Sequence, residues 1–193
     1  MPDDERRRRA VEAVHTHDAG TLCELTRAGL LLYGRRGAKL AAHTWERYRA
    51  AILELVADWH EENIIRPRRN AGALWVRELE ARGLATPSVR IRLAAGRAMY
   101  AALGWAGATD AHPWREVSAA SDNTAAWDRR QAYQEYEVRR LIDVSAGGDR
   151  FLVLLCAHAG LRVSEAIALD WSDVELASRV IILRSGKGGR GVS

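Results

Sequence analysis

Lysine is nearly missing from this chain: only 2 of its 29 basic residues are lysine, Lys39 and Lys187, so arginine carries almost all of the positive charge. Cysteine is as scarce. Cys23 and Cys156 stand in separate apolar stretches, which excludes a cysteine-based metal module and reads as two buried free thiols of a reducing compartment rather than a disulfide. Four prolines leave room for long helices. Long hydrophobic runs are absent too: the longest, FLVLLCAHAGL, falls far short of the ~20 residues that a membrane span needs. The opening MPDDERRRR is charged and does not resemble a secretion signal. A cytoplasmic protein is expected.

With 48% hydrophobic and 28% charged residues, the 193-residue chain can bury a core and stay hydrated, as one large domain or two small ones. The net charge of +4 and a pI of 9.4 suggest nucleic acid without establishing it. The distribution is more informative. Residues 1–66 carry 11 basic and 11 acidic side chains and residues 131–193 carry 8 of each, so the whole excess lies in 67–130, with 10 against 6. From Arg82 to Arg97 there are four arginines and no acid.

Along the chain, residues 3–19 read as a solvated helical arm whose arginines Arg6 to Arg9 offer a second, DNA-touching role. A helix is predicted over 21–33, with Thr21 as its cap, before a break at Gly34–Gly37. Trp45, Tyr48, Ile52, Leu55, Val56 and Trp59 recur every three or four residues, one face of a long helix that is over by Pro67. Asn70 starts a second helix that stops at Gly83, and Thr86-Pro87 starts a third that runs to about Gly104. HPWREV adds a short turn. The polar stretch SAASDNTAAWDRRQ has no periodicity and reads as a linker. Helices at about 134–145, 149–159 and 163–169 follow, and then a β-branched strand, RVIILR, at 179–184. SGKGG should turn the chain back into a partner strand, for which only Arg190 to Ser193 remain.

A helical module, a linker, EVRRLI, an apolar helix, GLRVSEAIALDWSDVEL, a strand and SGKGG occur in this order. That series resembles the tyrosine recombinase (phage integrase) family, in particular its Xer-like and integron-like bacterial members. The resemblance covers roughly residues 38–190. It implies a mainly α fold: a four-helix SAM-like core-binding domain at 38–118, behind an N-terminal helical extension at 1–37. A linker at 119–130 and an incomplete α+β recombinase catalytic domain at 131–193 complete the expected organisation.

The family's chemistry needs no metal and no cofactor. A tyrosine attacks the DNA phosphodiester to leave a 3′-phosphotyrosine, two arginines hold the non-bridging oxygens, and a hairpin lysine protonates the leaving oxygen. The resemblance implies that Arg162 is the first of these arginines and Lys187 the hairpin lysine. The near-absence of lysine gives Lys187 weight on independent grounds, because arginine cannot give up a proton at working pH and lysine can. Glu165, three residues beyond Arg162 on one helical face, is placed to orient the guanidinium. Trp171 and Asp173 are expected to pack and to cap.

In the helical module Arg90 and Arg97 share a helix face and Arg92 points elsewhere on the same helix. These three, and more weakly Arg47 and Arg49 on the first helix, are the expected contacts to phosphates of double-stranded DNA. The departures matter as much. All six histidines and all five tyrosines precede Arg162, so the second arginine–histidine pair and the tyrosine nucleophile have no counterpart here. The chain is therefore expected to be cut early in its catalytic domain and inactive alone. An intact recombinase, or self-association through the missing strand, would be its partner. Two other readings stand beside this one: a non-catalytic DNA-binding regulator that competes with an intact recombinase, and a helical protein-interaction module.

Overall fold

The computed structural model describes residues 2–121 and 132–183, and these form two compact units. The first contains five α-helices: α1 (Asp3–His15), α2 (Ala19–Tyr33), α3 (Ala42–Asp58), α4 (Ala71–Ala81) and α5 (Thr86–Trp105). The long α5 is the centre, with α2 and α3 packed along it and α4 against it. Its buried positions Val89, Leu93, Gly96, Met99, Tyr100 and Leu103 follow the helical repeat and meet Ile52, Leu55 and Val56 of α3 in one core. Pro87 sits in its first turn, where a missing N–H costs nothing.

Indole rings fill the lower part of this core. Trp59 and Trp114 stack at 5.2 Å and 17°, and Trp75 and Tyr100 pack against Trp114 at 5.7 and 5.4 Å. Three of the four polar tips have a partner within the core. Tyr100 donates to the Ile64 carbonyl at 2.7 Å, Trp75 to Asp58 at 2.7 Å and Trp114 to the Gly72 carbonyl at 3.0 Å. Burial pushes the Tyr100 hydroxyl well above the usual phenol range.

Two expectations for the N-terminal segment change. The arm at 3–19 packs on one face, burying Ala10, Ala13 and Val14 in the same core as α3 and α5. Arg6 is drawn inward by Trp105, whose ring lies 4.4 Å from its guanidinium. Asp18, not Thr21, caps α2: its carboxylate accepts from the Thr21 backbone N–H at 3.1 Å and hydroxyl at 2.6 Å, which holds it below the usual carboxylate range. The segment 1–37 therefore shares one core with 38–118.

The second unit runs through α6 (Glu135–Val144), α7 (Gly147–His158), α8 (Val163–Ile167) and a hairpin of β1 (Val174–Glu175) and β2 (Val180–Ile181). Its core is small: Leu155, Leu161 and Ala166, with Leu152, Cys156, Leu169, Ile181 and Leu183 against them. Cys23 is buried as expected, and Cys156 is only half-buried. The strand expected at 179–184 is present as β2, but its partner precedes it. Val174 pairs with Ile181 and Glu175 with Val180, antiparallel, across a turn in which Arg179 takes φ +58°. Most of the linker at 119–130, and the returning strand, lie outside the described residues. Among the described residues, no helix is long and apolar enough to cross a membrane.

Candidate functional site

The turn from α7 into α8 is built to push an arginine outward. Gly160 takes φ +67°, a backbone state that costs glycine nothing, and reverses the chain at the end of α7. Leu161 then anchors in the small core while Arg162, extended at φ −69° and ψ 149°, occupies the cap position of α8. Its side chain is 62% exposed.

Glu165 locks this arrangement. One carboxylate oxygen accepts from the Arg162 backbone N–H at 2.8 Å and the other from its guanidinium at 2.5 Å. Satisfying an otherwise orphaned N–H at the helix start and fixing the cation are thus one act of one side chain. These donors, the backbone N–H first, hold the Glu165 carboxyl below the ordinary glutamate range. Among the described residues the other guanidinium donors of Arg162 have no protein partner. A planar fork, steered from one edge and open on the other, is suited to gripping two oxygens of an anion.

Lys187 lies outside the described residues. Asp173 accepts from the Asp170 backbone N–H at 3.0 Å, a local cap as expected. Trp171 differs from expectation: it is 78% exposed and rims an open groove with Phe151, Leu169 and Val174 instead of packing inside. The short turn that carries it, Trp171–Asp173, turns Asp173 inward and leaves the indole out.

In the first unit the four candidate arginines separate into two kinds. Arg47 and Arg90 are exposed, and among the described residues neither is in an ion pair. Arg92 is held by Glu54 of α3, Nε to carboxylate, at 2.7 Å. Arg97 turns its Nε and one terminal nitrogen onto the Trp114 carbonyl at 3.2 and 2.9 Å and onto the Val117 carbonyl at 2.7 Å. It ties the chain beyond α5 back to the helix, a structural task rather than an open phosphate contact. Sequence reasoning missed the acid that holds Arg92, Glu54. Glu54 and Asp58 lie four apart on α3, and Asp58 also takes Arg82 at 3.1 Å. The spacing puts both acids on one face of α3, but it does not say which helix that face meets.

Two family models match this chain. Residues 33–107 match the phage integrase N-terminal SAM-like domain, and residues 132–192 match the phage integrase family. The chain is 30% identical over 160 residues to the tyrosine recombinase XerC of Xanthomonas campestris pv. campestris, an alignment covering 79% of this chain and 48% of that protein. It is 43% identical over 63 residues to the tyrosine recombinase XerA of Thermococcus kodakarensis, covering 31% of this chain and 22% of that protein. The chain thus spans about half the length of the XerC proteins it matches. Because the two helical regions found here match the two successive domains of that architecture in the same order, the chain belongs to the phage integrase family of tyrosine recombinases.

Proposed function

We propose that this chain is a DNA-binding part of a site-specific tyrosine recombinase, acting in the cytoplasm on double-stranded DNA. The first unit holds the phosphate backbone through Arg47 and Arg90. The second presents Arg162, steadied by Glu165, to the non-bridging oxygens of a phosphodiester. In the transition state of strand cleavage negative charge grows on those oxygens, and a fixed guanidinium placed in advance stabilises it without reorganisation. Lys187 is assigned the proton for the leaving oxygen. No tyrosine or histidine follows Arg162 within these 193 residues, so the chain by itself binds DNA and does not cleave it. An intact recombinase that supplies those groups is the partner this reading calls for.

The observation that carries the proposal is the Arg162–Glu165 pair at the start of α8, its contact at 2.5 Å, within a segment matched by the phage integrase family. The test is a fluorescence-anisotropy titration of labelled duplex DNA at several salt concentrations. Binding is expected to weaken linearly on a log–log plot, with a slope set by the number of phosphates neutralised. A chain that leaves duplex DNA unbound at low salt would refute the reading.

A further inference from the structure

Between α3 and α5 lies an open groove of about 320 Å³, lined by Arg47, Ala51, Glu54, Ser88 and Arg92 among others. It holds two arginines and one acid. Glu54 lies against both neighbouring arginines: one oxygen is 2.7 Å from Arg92 Nε and the other 3.9 Å from Arg82. Arg82 is not dependent on it, since Asp58 and Glu78 hold that guanidinium at 3.1 and 2.5 Å. Arg92 has no other acid among the described residues. Its remaining contact, to the Ser88 carbonyl at 3.4 Å, is weak.

We propose that this groove is a phosphodiester seat which Glu54 occupies when DNA is absent. The inference rests on the DNA-binding reading above and adds to it how the site is kept closed. A carboxylate oxygen and a phosphodiester oxygen both accept charge-assisted hydrogen bonds from a guanidinium, so they compete for Arg92. The Glu54–Arg92 pair is exchangeable, because both side chains stay about a quarter exposed, at 28% and 27%. Once a phosphate takes Arg92, Glu54 keeps Arg82 within reach and is not left as an uncompensated charge. Arg47, on the groove wall and in no ion pair among the described residues, meets the same phosphate group or its neighbour. Glu54 therefore lowers the affinity of the module for any polyanion, and Arg92 engages only where DNA lies deep enough to displace the carboxylate.

The test compares wild-type, Glu54→Gln and the double variant Glu54→Gln with Arg92→Gln by anisotropy on one duplex, with thermal melting to establish that each is folded. Glu54→Gln is expected to bind about fivefold to tenfold tighter at 0.1 M salt, with a salt slope steeper by about one, because a carboxylate no longer offsets one arginine charge at the groove. Adding Arg92→Gln should return affinity and slope to the wild-type level or below. A Glu54→Gln chain no tighter than wild-type, or a double variant as tight as Glu54→Gln, would overturn the proposal while leaving the DNA-binding reading intact. Failure of the wild-type and of Glu54→Gln to bind would overturn both. Should Glu54→Gln not fold, the nitrogen-labelled wild-type protein decides. The Arg92 side-chain Nε–H resonance is expected to shift on saturation with duplex, and an unmoved resonance means that Glu54 never yields.

Discussion

Trp114 donates its indole N–H to the carbonyl of Gly72 across 3.0 Å, which brings the turn after α5 into direct contact with the first turn of α4. The approach is close enough to need glycine. A Cβ at position 72 would stand 2.2 Å from the Pro113 carbonyl oxygen and 2.7 Å from its carbon, both backbone atoms that cannot swing aside. Gly72→Ala should therefore destabilise the first unit by about 1–3 kcal/mol or more, although alanine is the better helix former. Thermal or urea unfolding measures it. A variant as stable as wild-type would mean that the two segments are not held this tightly.

Arg90 and Arg97, equivalent by sequence spacing, should behave oppositely. Arg97→Ala removes three hydrogen bonds to two carbonyls of the 114–117 turn and should cost about 1–2 kcal/mol of stability. Arg90→Ala should leave stability within about 0.5 kcal/mol but weaken binding to all DNA sequences alike, with a salt slope shallower by about one. Denaturation curves set beside anisotropy titrations separate the two. A stability loss in Arg90→Ala, or none in Arg97→Ala, would reverse the assignment.

Glu165 should titrate below an ordinary glutamate, because its charged form accepts two hydrogen bonds from Arg162. A carboxyl whose pKa is depressed by folding contributes stability at pH values above its unfolded pKa. That contribution is lost as the pH falls through the folded value. The start of α8 should consequently loosen only in acid, below the pH at which exposed glutamates protonate. Carboxyl-carbon NMR follows it directly. Arg162→Ala should move the Glu165 midpoint upward, and an unmoved midpoint would show that the ion pair is not formed in solution.

Chemistry should be absent from the chain alone. A nicked substrate that traps covalent intermediates should give no protein–DNA band on a denaturing gel. Joined to a recombinase segment that supplies the second arginine, histidine and tyrosine, the chain should form the adduct. In that hybrid Arg162→Lys should lose roughly a hundred- to a thousandfold in rate, the usual effect of removing one preorganised donor from a developing oxyanion. An adduct from the unmodified chain would require a nucleophile upstream of Arg162, among the tyrosines at 133 and 136 or earlier.

Helix existence was readable because it rests on local signals: the Trp45–Ile52–Trp59 stripe needs only a repeat of three and four. Arg162 was singled out differently, through the resemblance of GLRVSE to a family motif, and spacing added only that Glu165 shares its helical face. What could not be read was anything decided between elements. No local pattern says that Glu54 on α3 meets Arg92 on α5, or that Arg97 turns its donors onto Trp114, so acid-free sequence was read as free charge. The strand partner was missed for a related reason. Val174–Glu175 is too short to register as a strand until Val180–Ile181 folds back on it. Trp171 was assigned to packing by its chemistry, whereas the tight turn at Trp171–Asp173 allows only one of its ends to face inward, and Asp173 takes that place.

The ring cluster around Trp114 also gives the first unit an optical signature of its own. Two indoles stacked at 5.2 Å and 17° couple their electronic transitions, and coupled transitions produce far-ultraviolet ellipticity that an isolated ring lacks. Trp171 of the second unit, 78% exposed, makes no such pair among the described residues and should emit as a hydrated indole. Collapse of the stack, read by ellipticity, and a change around Trp171, read as the emission difference between wild-type and Trp171→Phe, are therefore separate spectroscopic events.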